Sequence, residues 1–223
     1  MHTIPKTHSN HLFTLIELLV VIAIIAILAS ILLPALSSSR DRVREIYCIN
    51  NIRQIGMGLE LYMDESDDTF PPISMVPPGG SYRWARLVMP YMGGGEYGTA
   101  KGLEDARKMR FFTCQSDDIQ RGDTGPKKCS YALNFEIQEG NLTGTKPPVK
   151  RTIIQNSPET IVGGERWNSA NTIQFSLGTD PTRTGNYHRF VTNSFLFADG
   201  HAEGMDAYST RNNSNYLWKF VKP

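Results

Sequence analysis

The chain has 223 residues, with 23 Lys+Arg against 22 Asp+Glu and a formal net charge of +1, so no basic surplus points to nucleic acid as a main partner. Aromatic residues make up 10% and charged residues 20%, which excludes a disordered composition and leaves enough chain for one globular domain with its own core. The three cysteines, Cys48, Cys114 and Cys129, are too few for a disulfide-rich scaffold.

Residues 1–12 are short, polar and His-containing, with Lys6 the only firm positive charge, and read as a leader rather than as fold. From Phe13 to Leu36 the chain is almost wholly apolar, and after Glu17 no charge appears until Arg40. That stretch is long enough to cross a bilayer as a helix, whose backbone satisfies its own polar groups in lipid. A Sec-type signal cleaved near Ala26-Ile27-Leu28-Ala29 is the rival reading; against it stand the length of the run and the acid at its start. Glu17 is the odd residue, because a carboxylate beside lipid is costly unless paired or neutralised. Thr14-x-x-Glu17 has the spacing of a capping box, which would occupy it locally. Pro34, near the far end of the span, removes one helical hydrogen bond.

The string Phe13-Thr14-Leu15-Ile16-Glu17-Leu18-Leu19-Val20-Val21-Ile22-Ala23 resembles the N-terminal methylation motif of type IV prepilins and type II secretion pseudopilins, over about the first 36 residues. The resemblance implies cleavage by a prepilin peptidase between Leu12 and Phe13 and methylation of the new amine. It further implies that Glu17 pairs with the Phe13 amine of a neighbouring subunit, and that Pro34 permits local melting during filament assembly. Leu12 stands where the family usually has Gly. Topology has two readings. Arg40, Arg42 and Arg44 follow the span, so positive-inside counting puts the C-terminal domain in the cytoplasm. The resemblance puts that domain outside.

Beyond Ser37, Ile49, Ile52, Gly56, Leu59 and Met63 step by three and four, flanked by Cys48, Ile55 and Tyr62, while Arg53, Glu60 and Asp64 fall outside the stripe. The pattern predicts one helix over residues 13–64, ~75 Å long, transmembrane over about 13–36 and packed on a domain of residues 65–223. Asp64-Glu65-Ser66-Asp67-Asp68 and Phe70-Pro71-Pro72 end it; the acids lack the spacing of a calcium loop. The middle is loop-rich, with breakers at Pro77-Pro78-Gly79-Gly80 and Gly93-Gly94-Gly95 that form no phosphate loop. A short helix is expected over residues 102–110, and strands over 110–114, 129–135, 160–163 and 172–176. The strand over 191–197 turns at Asp199-Gly200, expected as type I′, and returns over 201–205. Trp218 and Phe220 are expected to pack on the sheet. The fold class is α+β: a long N-terminal helix against a small antiparallel sheet with irregular loops.

A second resemblance covers most of the chain. Cys48 to Gly56, Tyr62-Met63-Asp64, Trp84 through Pro90-Tyr91, Phe112-Thr113-Cys114, Ser130 to Asn134, Ser157 to Ile161, and His188 followed by Phe197-Ala198-Asp199-Gly200-His201 look like a bacterial subfamily of pilin-like proteins with a C-terminal His-x9-Asp-Gly signature. Gln115 replaces the usual Pro after Cys114, and ten residues rather than nine separate His188 from Asp199.

The cysteines lack Cys-x-x-Cys spacing, which argues against a metal centre. In an oxidising space one bridge is open, Cys114 with Cys129 or Cys114 with Cys48. His188, Asp199 and His201 invite a metal or acid/base site, but Asp199-Gly200 is explained by its turn. No nucleophile elbow, His-Glu-x-x-His or paired-carboxylate motif is present, so no catalytic residue, metal or cofactor is assigned. The expectation is a filament subunit held in the inner (cytoplasmic) membrane before assembly. Its partners would be prepilin peptidase, membrane lipid and copies of itself or related subunits, and its soluble part would face outward. The alternatives are a membrane-anchored module binding a glycan or protein, and a secreted metal-dependent enzyme.

Overall fold

The computed structural model describes residues 14–72, 74–75, 82–95, 110–117, 130–134, 149–165, 188 and 192–206. Leu12, Phe13, Cys129, Trp218, Phe220, the expected strand over 172–176 and all but the last residue of the expected 102–110 helix lie outside them. The chain divides into two units, Met1–Arg40 and Asp41–Pro223, each described by itself.

α1 (Leu15–Glu65) is a helix of 51 residues, close to the expected bounds. In the first unit every Leu, Ile and Val from Leu15 to Leu36 is exposed. A helix apolar on all sides is stable only where something other than water surrounds it. It is one helix long and apolar enough to cross a membrane, with a mean hydropathy of 3.1 over its best window. The helix runs through Pro34. The capping box forms: Thr14 N and Thr14 Oγ1 each donate to Glu17 Oε2 at 2.8 Å. Glu17 N donates back to Thr14 Oγ1 at 3.3 Å. Two orphan amides of the first turn are thereby satisfied.

In the second unit α1 becomes one-sided. Cys48, Ile52, Ile55, Gly56, Leu59 and Met63 are buried, while Val43, Ile46, Met57 and Leu61 stay exposed. β3 (Tyr131–Leu133), β4 (Ile161–Glu165), β5 (Thr192–Phe197) and β6 (Ala202–Asp206) form an antiparallel sheet in that order. One core joins the α1 stripe to Tyr131, Leu133, Val162 and Leu196, and to Trp84 and Val88 of α2 (Trp84–Val88). A second, smaller cluster holds Ala132, Ile161, Phe195 and Phe197 with Met205. The strands thus place alternate residues in the two clusters, as a pleat requires.

Two glycines let α1 approach its neighbours. A Cβ on Gly56 would lie 2.6 Å from Leu196 Cδ1, and one on Gly58 would lie 2.6 Å from Met92 Cγ. The buried acid Glu45 is answered by Arg42 Nη1 at 2.7 Å and by Thr192 Oγ1, which donates to it at 2.9 Å.

The acidic cluster that ends α1 has cationic partners. Lys150 Nζ meets Asp67 at 2.8 Å. Arg151 reaches Glu60, Asp64 and Asp68. Backbone bonds reinforce the junction, Phe70 N to Val149 O at 2.9 Å and Arg151 N to Asp68 O at 2.8 Å. Asp67 (φ 52°) and Asp68 (φ 58°) take the left-handed conformation that releases the chain from the helix.

The structure corrects several local expectations. The middle contains α2 and a 3-10 turn over Met89–Met92, closed by Gly93 at φ 81°. A two-stranded ladder pairs β1 (Ser74–Met75) with β2 (Tyr82–Arg83). Arg110–Phe112 is a 3-10 turn, not a strand; Phe112 and Cys114 both point into the core, which a period of two also permits. The final hairpin is not type I′. Asp199 lacks the positive φ that turn demands, and only Gly200, at 86°, has it. Gly200 N donates to Phe197 O at 3.0 Å and Phe197 N to His201 O at 2.9 Å, so a four-residue turn over residues 197–200 ends on a left-handed glycine.

Truncating Ile52 to Ala removes side-chain volume that is 1% exposed and should cost about 3 kcal/mol. Ile46→Ala, at a site 50% exposed, should stay within ~0.5 kcal/mol. Denaturant titration of the detergent-solubilised chain checks both. Equal losses would show that the stripe is not the core face.

Candidate functional site

Four chemistry-bearing side chains meet on the α1 side of the sheet. Cys48 Sγ lies 2.6 Å from Cys114 Sγ. Cys114 Sγ lies 3.8 Å from His188 Nε2. His188 Nε2 lies 3.2 Å from Glu165 Oε1. One donor atom from each residue falls within 4.8 Å of all the others, and all four residues are buried.

Local structure explains how each arrives. Cys48 belongs to the buried stripe of α1. Asn51, one turn on, donates through Nδ2 to Thr113 O at 3.3 Å and so ties α1 to the segment carrying Cys114. That segment is pinned from β3: Ser130 N donates to Phe112 O at 2.8 Å and Ser130 Oγ to Asp117 at 2.5 Å. Tyr131 donates its hydroxyl to Cys48 O at 3.3 Å.

Glu165 depends on an irregularity. Ile161 pairs with Phe197, but Gly163, not Val162, pairs with Leu196. The extra residue is a β-bulge, and it shifts every later side chain of β4 to the opposite face. Strict alternation from Ile161 would send Glu165 to the Phe195–Phe197 side. With the bulge it stands opposite Tyr131, facing the cysteines. Its second oxygen accepts from Ser194 N at 2.9 Å, so both carboxylate oxygens are engaged in a fully buried site.

With both sulfurs as free cysteines, the charges are coupled. The hydrogen bond shared with Cys114, with help from His188, outweighs burial and lowers Cys48 from 9.0 to about 6. Cys114 is pushed up by that same bond and by burial. Burial works against a charge on His188, but hydrogen bonds to Cys48 and Glu165 and their negative charge overcome it, raising it from 6.5 to about 10. In the reduced cluster the Cys48 thiolate and the His188 imidazolium are thus each favoured by the other.

Of the residues singled out from sequence, the structure unites Cys48, Cys114 and His188. Their donor types match those of a thiophilic metal site despite the absent Cys-x-x-Cys spacing. It does not join His188 to Asp199. Asp199 instead meets His201 at the hairpin tip, Nδ1 to Oδ1 at 2.5 Å, where His201 stacks on Phe197. Sequence reasoning missed Glu165 entirely; the one available signal is a lone acid closing an apolar Ile-Val-Gly-Gly strand. Elsewhere, a cleft of about 480 Å³ opens beside α1, lined by Tyr47, Asn50, Arg53, Gln54, Met57 and Phe111 among others.

The fold and site together define an α+β protein with an apolar N-terminal helix long enough to span a membrane, and with a buried thiol, imidazole and carboxylate cluster. Protein-family models, curated proteins and solved structures compared with the chain gave no match.

In the reduced chain the stability from His188 is complete below pH 6.5 and lost as pH rises through about 10. That from Cys48 is complete above pH 9 and lost as pH falls through about 6. Between 6.5 and 9 the two trends offset, because native and unfolded chains each hold one proton on this pair. With Cys129 replaced by Ser, the ultraviolet thiolate absorbance of the reduced chain should rise with a midpoint of about 6. His188→Gln should move that midpoint upward. A midpoint in the ordinary thiol range before the His188 substitution would contradict the coupling.

Proposed function

We propose that the chain is a structural subunit of a type IV pilus-like or type II secretion pseudopilus-like filament. On this reading prepilin peptidase cuts between Leu12 and Phe13, and the subunit waits in the inner membrane with its globular part outside the cytoplasm. It then assembles with copies of itself or with related subunits. It is not an enzyme, and the buried cluster serves the fold.

The observation that carries the reading is the division of α1. Every Leu, Ile and Val from Leu15 to Leu36 is bare, whereas from Cys48 onward one face is sunk in an α+β core. A helix of this kind suits lipid before assembly and neighbouring helices after it. The prepilin-like string around Glu17 supplies the second support. In the single chain Glu17 is held by Thr14, an arrangement that occupies the carboxylate until a neighbour's amine takes it over.

A membrane-anchored binding module is the second reading, favoured by the cleft beside Tyr47 and Phe111, whose mixed aromatic and polar lining suits a glycan or peptide. Glu17→Leu separates the two. A tether needs only hydrophobicity, so insertion should persist or improve. A filament subunit would bury the Phe13 amine unpaired, at a cost of roughly 3–5 kcal/mol per contact. Sheared-filament yield should therefore collapse while membrane levels of the processed chain persist. Normal filament yield would exclude the pairing, and a wild-type chain that never enters filaments would favour the tether.

A further inference from the structure

We propose that Cys48 and Cys114 are joined as a disulfide in the mature protein, stapling the middle of α1 to the segment that follows the 3-10 turn of Arg110–Phe112. The two sulfurs are 2.6 Å apart, inside the contact distance of unbonded sulfurs and about half an ångström from a bond of ~2.05 Å. Two thiolates sharing a tetrahedral zinc stand roughly 3.8 Å apart, given bonds of about 2.3 Å, so a metal would have to push them apart. Glu165 offers a metal little, since its oxygens already accept from His188 and Ser194 N. Both cysteines sit on segments fixed independently of the sulfurs, by Asn51 to Thr113 O and by Ser130 to Phe112 O. Closing the bond brings the sulfurs together by about a further half ångström.

The chemistry balances with a protein disulfide as oxidant, of the kind carried by thiol oxidases outside the cytoplasm. The Cys48 thiolate attacks one donor sulfur and expels the other as a thiolate, forming a mixed disulfide. Cys114, losing its proton, then attacks the Cys48 sulfur and releases the donor as a dithiol. Two thiols thus lose two electrons and two protons, and the donor disulfide gains them. Cys48 is 0% and Cys114 1% exposed, so exchange must precede closure of the core, and afterwards reductants cannot reach the bond. The residues lie 66 positions apart, a long loop for a cross-link to remove from the unfolded ensemble. The source of oxidant rests on the extracytoplasmic placement proposed above; the pairing itself does not.

The test blocks free thiols with a light maleimide in denaturing lysis buffer, which exposes Cys48 and Cys114, then reduces the denatured protein, labels with a heavy maleimide and maps peptides. It is run on full-length chain from native membranes and on detergent-purified chain refolded with a glutathione redox pair. Metal content is measured on the native sample. Heavy label on Cys48 and Cys114 and light label on Cys129 in both samples is the expected result. Cys129→Ser should preserve it, and Cys114→Ser should abolish it. Heavy label only in the refolded sample would leave the pairing standing and overturn the extracytoplasmic placement. Light label on Cys48 and Cys114 after refolding, heavy label on Cys129, or one bound metal per chain would overturn the pairing wherever the domain resides.

Discussion

One continuous helix has to satisfy two surroundings, and the rest of the structure follows from how α1 does so. Apart from the bond that Pro34 cannot make, the helix satisfies its own backbone, so the side chains register the change. Up to Leu36 they are apolar on every side. From Cys48 they are apolar on one side only, and that side recruits the sheet and α2. Gly56 and Gly58 lie on that buried side, where bulkier residues would hold Leu196 and Met92 away. Losing this contact would deprive the small sheet of its main cover, which a four-stranded sheet of short strands cannot spare.

Several acids near the core are placed where a partner exists. Glu45 is buried yet held by Arg42 and Thr192. The acids at the end of α1 gather on Lys150 and Arg151 and so bind the helix exit to the segment before β4. Glu165 is the extreme case, fully buried and engaged at both oxygens. Removing His188 would leave that charge without its cation, which is why the imidazole is as much a structural requirement as the stripe itself.

The helix was legible because its signal is long and periodic: the stripe of Ile52, Ile55, Leu59 and Met63 is the face that is buried. Strands β3 to β5 were legible as short apolar, β-branched or aromatic runs, and β6 as the return strand after the Asp199-Gly200 turn. What escaped depends on tertiary position. Cys48, Cys114 and His188 each drew attention alone, but nothing in their spacing says that they meet. Glu165 was hidden by the bulge at Val162, since alternation counted along β4 sends it to the wrong face. The type I′ expectation at Asp199-Gly200 failed for a related reason. The dipeptide is compatible with two hairpin loops, and the register of Leu196 with Ala202 selects the longer one.

The same division of α1 that organises the fold gives the functional reading its content: an apolar segment headed by an acid that, among the described residues, Thr14 holds. The most direct measurement of that reading is the intact mass of the protein extracted from its native membrane. The account predicts a chain beginning at Phe13 with one added methyl group on its N-terminal amine. A chain beginning at Met1, or at Ser30 after signal-peptide cleavage, would contradict it.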